Sequence, residues 1–356
     1  MTYGIEIYDT NGGVILDNSS KAFGIVDVFQ TAQNSIGSRA YPQLAGSTID
    51  VQVVNAHPPG WSSNLLLTHS VTVSYSAGYP VVSWGYNASY VASGATYASA
   101  IIFIILKTTQ NPQYGISVNN VNNELILSEA VVNYSYSGVA QYVNQSTSAY
   151  SGAGDYIMTA TFTGSSFPIP FIENLEGQSA TLVNITQVGN TYTLYIAKTG
   201  TSIPRVLCFT RSQGEPLGYG LVIYDGSGAI SYDSNKMTLS PCCYGNSITP
   251  PLTTSGSTVQ YTVPGSSNIT LNGNLPVHSA TFMTGTGFYG SSVVDGGGYS
   301  VNKDNVLAIA KVSGALYTRW VRTDVRLFTY KTFYPITSNT ENTYRVYSID
   351  ITKYTI

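Results

Sequence analysis

Residues Tyr3 to Asp17 read YGIEIYDTNGGVILD, and the pattern returns without a gap at Tyr219 to Asp233 as YGLVIYDGSGAISYD. Seven of the fifteen positions are identical: the opening Tyr-Gly, the central Ile-Tyr-Asp, one turn glycine and the closing Asp. A weaker copy, YGISVNNVNNELILS, runs from Tyr114 to Ser128 and has Asn123 and Ser128 where the other two have Gly and Asp. The copies begin at residues 3, 114 and 219. A period near a hundred residues is too long for a solenoid repeat and implies tandem domains of ordinary size. With 356 residues the chain is long enough for two or three such domains, each with its own core.

Each copy reads as a β-hairpin. Ile5, Ile7, Val14 and Leu16 alternate with other neighbours at period two, as in a half-buried strand. Between the arms lie Asp9-Thr10-Asn11-Gly12-Gly13 and, in the later copy, Asp225-Gly226-Ser227-Gly228. Such residues accept positive φ or bond their own backbone, which a tight turn requires. A calcium loop is the rival, but the spacing is not that of an EF-hand and one or two carboxylates fall short of six to eight oxygen ligands.

Further strand signals follow in order. Gly46 to Val54 (GSTIDVQVV), Leu65 to Tyr75 and Pro80 to Tyr86 alternate, and Ala100 to Leu106 (AIIFIIL) is a run apolar on both faces. The second hundred residues supply Asp155 to Ser165 and Tyr192 to Lys198; the third supplies Gly256 to Val263, His278 to Phe282 and Val306 to Val312. Local likeness pairs GSTVQYTV with GSTIDVQV, HSATF with HSVTV (His69 to Val73), and VLAIAKV with AIIFIIL. No convincing stretch has the 3.6-residue period of a long amphipathic helix. The expectation is an all-β chain of tandem β-sandwich-like domains related by internal duplication, with units at 1–112, 113–216 and 217–335 and a C-terminal β extension at 336–356.

Composition narrows the function classes. Charged residues are 9% of the chain, well below the roughly 25% of ordinary soluble domains, while tyrosine reaches 29 and glycine 34. A net charge of −3 gives no electrostatic case for nucleic acid. The seven-residue apolar run is too short to cross a bilayer, so no membrane insertion is expected, and the first thirty residues do not read as a leader. Cys208, Cys242 and Cys243 form neither a CxxC pair nor a full metal set and read as reduced structural thiols, consistent with synthesis in a cytosol.

Catalytic patterns are missing from the sequence. His57, His69 and His278 are the three histidines, and neither His69 nor His278 has Asp or Glu within a few residues. Gly285 to Gly290 matches GxGxxG, but Ser-Ser-Val-Val-Asp-Gly-Gly-Gly follows where a phosphate site needs a helix. Glu173 and Glu176 are the closest Glu pair, with nothing to mark them as a glycosidase dyad. No catalytic residue, cofactor or metal is assigned.

Charge is concentrated late: eight of the fifteen Lys and Arg lie beyond residue 300. From Thr318 to Lys331, strict alternation would put Val321, Val325 and Leu327 on one face and Arg322, Asp324 and Arg326 on the other. Arg319, Arg322, Arg326, Lys331 and Arg345 are the candidate docking residues for an acidic partner, against the plain reading of a solvated strand face. Sheet edges and a weakly charged surface favour assembly, as a homo-oligomer or on a symmetric support.

The block YGxxIYDxxGxxxxD near the start resembles tail-associated virion proteins of tailed bacteriophages. The resemblance covers about fifteen residues per copy. It implies a non-enzymatic structural part of the tail tip or fibre, located in the virion beside other virion proteins, and it transfers no catalytic residue. Two other classes stay open: an adhesin that holds host surface glycan on aromatic rings, and a glycan-degrading enzyme.

Overall fold

In the computed structural model the described residues are 7–8, 14–16, 25–32, 35–56, 66–67, 70–85, 96–97, 99–108, 117–119, 125–128, 133–147, 155–211, 221–224, 228, 230–234, 236–248, 253–255, 260–262, 267–284, 287–294, 300–328, 339–340 and 343–354. They are nearly all strand, with two short 3-10 turns and no α-helix.

All three motif copies form antiparallel two-stranded ribbons with one register. Ile7 pairs Leu16 and Tyr8 pairs Val14; Val118 pairs Leu127 and Asn119 pairs Leu125; Ile223 pairs Tyr232 and Tyr224 pairs Ile230. The register shift falls at the same motif position each time.

The first sandwich uses β1 (Ile25–Gln30), β2 (Gly37–Ala40), β3 (Thr48–Ala56), β4 (Ser70–Ser76), β5 (Tyr79–Gly85) and β6 (Ser99–Thr108). Its sheets run β1-β6-β3 and β2-β5-β4. Val26, Ile49, Val53, Val82, Ile102 and Ile104 fill the space between them. The opposite face of β6, through Ile101, Phe103 and Ile105, enters a second core. The apolar run is therefore buried on both faces, as its composition requires.

The next strands are β7 (Tyr134–Val139), β8 (Gln141–Thr147), β9 (Asp155–Thr163), β10 (Ile169–Glu173), β11 (Ser179–Val188), β12 (Thr191–Thr199) and β13 (Val206–Arg211). The last are β14 (Cys243–Ile248), β15 (Ser267–Asn268), β16 (Thr270–Asn272), β17 (Ser279–Thr284), β18 (Gly287–Val294), β19 (Ser300–Val312), β20 (Ala315–Phe328) and β21 (Thr343–Asp350). They share two large sheets. One runs β7-β13-β10-β17-β21-β14-β16; the other begins β8-β9-β12-β11-β19-β18, with β20 pairing β19 and β15.

The join is edge to edge. Ile172 and Glu173 of β10 pair Thr281 and Ala280 of β17, while Ser179 and Ala180 of β11 pair Ala310 and Ile309 of β19. One core unites Phe171, Phe209, Phe282, Ile349 and Tyr354 with Phe103 of the first sandwich, whose ring lies 4.9 Å from Phe282.

Two expectations need correction. The strands matched by local likeness sit in different slots: residues 70–73 lie at the edge of a small sheet, but 279–282 lie inside the seven-stranded sheet. Likewise β6 closes its sandwich at the sheet centre, whereas Val306 to Val312 form one arm of the β19–β20 hairpin. A period-two pattern marks a strand but not its neighbours. The segment read as a terminal extension supplies β21, which pairs β17 on one side and β14 on the other.

Candidate functional site

The basic strand is long and regular in its first part. β20 pairs β19 from Val312↔Ala315 to Asn305↔Arg322; the register then shifts, and Asp304 pairs Asp324. This bulge breaks the strict alternation on which the two-faced reading of Thr318 to Lys331 depends. Val321 is fully buried with Val306 and Ala308 against Ile157, Val183 and Ala197, so this part of the hairpin covers the outer surface of the β9-β12-β11 sheet.

The five candidate residues are dispersed. Arg319 is exposed, opposite Ala308. Arg322 and Arg326 have described backbone positions only, opposite Asn305 and Asn302. Lys331 lies outside the described residues. Arg345 turns inward to the first sandwich, its Nη1 2.6 Å from Asp50 Oδ2. Gln52 Nε2 donates to the same Asp50 oxygen at 2.8 Å, and Thr284 Oγ1 donates to Gln52 Oε1 at 2.6 Å. Thr284 and Arg345 are cross-strand partners, so β17 and β21 together hold β3. Replacing Asp50 by Ala should cost only about 0.2–1 kcal/mol, because the Arg345 side chain remains 34% exposed. The loss should shrink at high salt, which denaturant titrations at two ionic strengths would show.

A second polar cluster sits where the sheets join. Arg205 clamps Glu173 with Nε–Oε2 at 3.1 Å and Nη2–Oε1 at 3.0 Å, and its backbone N–H donates to Oε2. Burial pushes the Glu173 carboxyl up, but these bonds more than offset it and hold the carboxyl below its ordinary value. Lys198, fully buried nearby, donates to Gly200 O at 2.5 Å and faces the Tyr156 ring; burial lowers its pKa. Glu176 accepts the Ser313 N–H, and Lys311 Nζ donates to Val277 O at 2.6 Å. The space among Glu173, Gln178, Lys198 and Pro204 is about 10 Å³, room for a single water.

The Glu173 shift has a pH signature. A carboxyl held low adds stability above its unfolded value, near 4.5, and the gain is lost as pH falls through the folded value. The wild-type melting temperature should therefore fall more steeply than that of Glu173→Gln from roughly pH 5 downward. Parallel slopes in a calorimetric pH series would refute the assignment.

His278 is exposed just before β17, and His57 and His69 lie outside the described residues. None of the three cysteines forms a disulfide among the described residues; Cys208 and Cys243 are buried, and burial pushes the Cys208 thiol up. No group of three or more His, Cys, Asp or Glu suited to a metal occurs among the described residues. None of their helices is long and apolar enough to cross a membrane. Nothing in the sequence pointed to Asp50–Arg345 or Glu173–Arg205, because ion pairs distant in sequence leave no local pattern.

The chain matches no family model, no curated protein and no solved structure.

Proposed function

We propose that this chain is a non-enzymatic structural component of a bacteriophage tail, at the tip or fibre, built from three duplicated units. The observation that carries the reading is the hairpin ribbon with one register in each third of the chain, on the block that resembles tail-associated virion proteins. Strand order supports the duplication. The first and last strands of each unit are neighbours, with a middle strand beyond: β1-β6-β3, β7-β13-β10 and β14-β21-β17. The opposing sheets repeat β2-β5-β4, β9-β12-β11 and β15-β20-β19. In each unit the hairpin of that second sheet is closed by two residues, 77–78, 189–190 or 313–314.

Units joined through continuous sheets suit a part that transmits force or holds position. Polar side chains at the joins bond one another, as Asn174 does with Ser279 and Thr281. Gold-labelled antibody against the chain, applied to purified particles, should decorate the tail. Bare particles from a lysate rich in the protein would refute the proposal.

A further inference from the structure

The three second-sheet hairpins differ in what their outer arms touch. The outer arms are β4, β11 and β19, the equivalent edge in each unit. β11 and β19 pair antiparallel with each other at Ser179↔Ala310 and Ala180↔Ile309, and Gly177 N–H donates to Lys311 O at 2.9 Å, while β18 takes the β19 edge from Ser300 to Val306. Antiparallel pairing of equivalent edges is what a two-fold axis produces. Three equivalent edges leave one over. Among the described residues β4 pairs only with β5, through seven unbroken positions from Ser70↔Gly85 to Ser76↔Tyr79.

Three of the other edges are guarded. β2 has four residues and carries Arg39, ion-paired with Asp27 at 2.6 Å. β8 is bulged between Tyr142 and Asn144. The outer side of β7 is occupied: Tyr136 N–H donates to Met237 O and Leu239 N–H to Tyr134 O. Short length, charge, bulges and coverage are the ordinary means of blocking edge pairing. Among the described residues β4 (SVTVSYS) has none of them, with no charge, proline, glycine or bulge. Thr72, Ser74, Tyr75 and Ser76 are exposed. Counting back from the two-residue turn, Val71, Val73 and Tyr75 direct their N–H and C=O groups away from β5.

We infer that β4 pairs antiparallel with β4 of a second copy of this chain, forming a two-fold dimer. The two small sheets of the first sandwiches, β2-β5-β4 in each copy, then become one continuous sheet. A two-fold axis at Val73 sets Thr72 of one copy opposite Ser74 of the other. A seven-residue strand pair buries less than the roughly 1,600 Å² of a standard interface, so association falls in the micromolar range. The inference rests on the equivalence of the three edges and not on the place of the protein in a virion.

The test is sedimentation velocity of the full chain, 38.1 kDa, over roughly 1–200 µM. The wild type should shift from monomer to dimer as concentration rises. Thr72→Lys with Ser74→Lys places like charges across the axis and should weaken association at least about tenfold, with an unchanged far-UV spectrum. The matching Glu double variant should also be monomeric, and mixing the two should restore dimers. A wild type that stays monomeric, a Lys variant that still dimerises, or a mixture that does not would each overturn the pairing. None of these outcomes bears on gold labelling of particles, so the two proposals fail separately.

Discussion

Removing residues 343–356 should abolish cooperative folding of the two large sheets. β21 is hydrogen-bonded on both sides, to β17 through six pairs and to β14 through six more. Ile349, Ile351 and Tyr354 are almost fully buried, and the Tyr354 ring stands 5.0 Å from Phe209, edge to face. Its hydroxyl donates to Thr238 O and accepts the Ser240 N–H, both at 3.1 Å, tying the chain end to the segment ahead of β14. Each large buried side chain lost costs about 2–5 kcal/mol, and together they exceed a net stability of about 5–15 kcal/mol. Circular dichroism melts of the truncated chain should lack a sharp transition, and protease should leave no fragment spanning residues 134–328. A wild-type melt after truncation would show that β21 is dispensable. From the sequence, the same tail reads as a C-terminal β extension at 336–356. The structure assigns it to the core instead, because a central strand and an edge strand have the same local pattern.

Phe282→Ala should destabilise the chain by about 3–5 kcal/mol. The ring is 2% exposed and lies 4.9 Å from Phe103 and 5.8 Å from Phe171, so it joins β17 to β6 and β10. Phe103→Ala alone should cost a similar amount, since that side chain is also fully buried. The double variant should cost less than the sum of the singles by about 0.5–1.5 kcal/mol, the usual worth of an aromatic pair. Denaturant unfolding followed by two probes, one in each sandwich region, measures the cycle. Strict additivity would mean that the first sandwich is not energetically coupled to the others across this contact.

Most of what the sequence made legible was local. The hairpin at Tyr3, its copies and their turn residues are specified by alternation and by Gly, Asn and Asp, all within fifteen positions. The two-sided burial of Ala100 to Leu106 follows from an unbroken apolar run, which no half-exposed strand tolerates. The absence of a long 3.6-residue period matches a fold without α-helix among the described residues. The candidate docking set was less legible. Arg345 looked like a surface cation, yet Asp50, almost three hundred residues earlier, takes it inward, and no spacing in the chain records such a partner.

The sequence by itself therefore determined the strands, the turns and the three-fold recurrence of the ribbon, because side-chain alternation and backbone permissiveness are short-range properties. Which edges meet was decided only in the tertiary structure. A strand edge presents N–H and C=O groups that are the same at almost every residue, so β4, β11 and β19 carry no label saying which will pair. The choice falls to packing: Phe282, Phe103 and Phe171 must share one core, and that requirement brings β10 to β17 and β11 to β19 while leaving β4 at the surface.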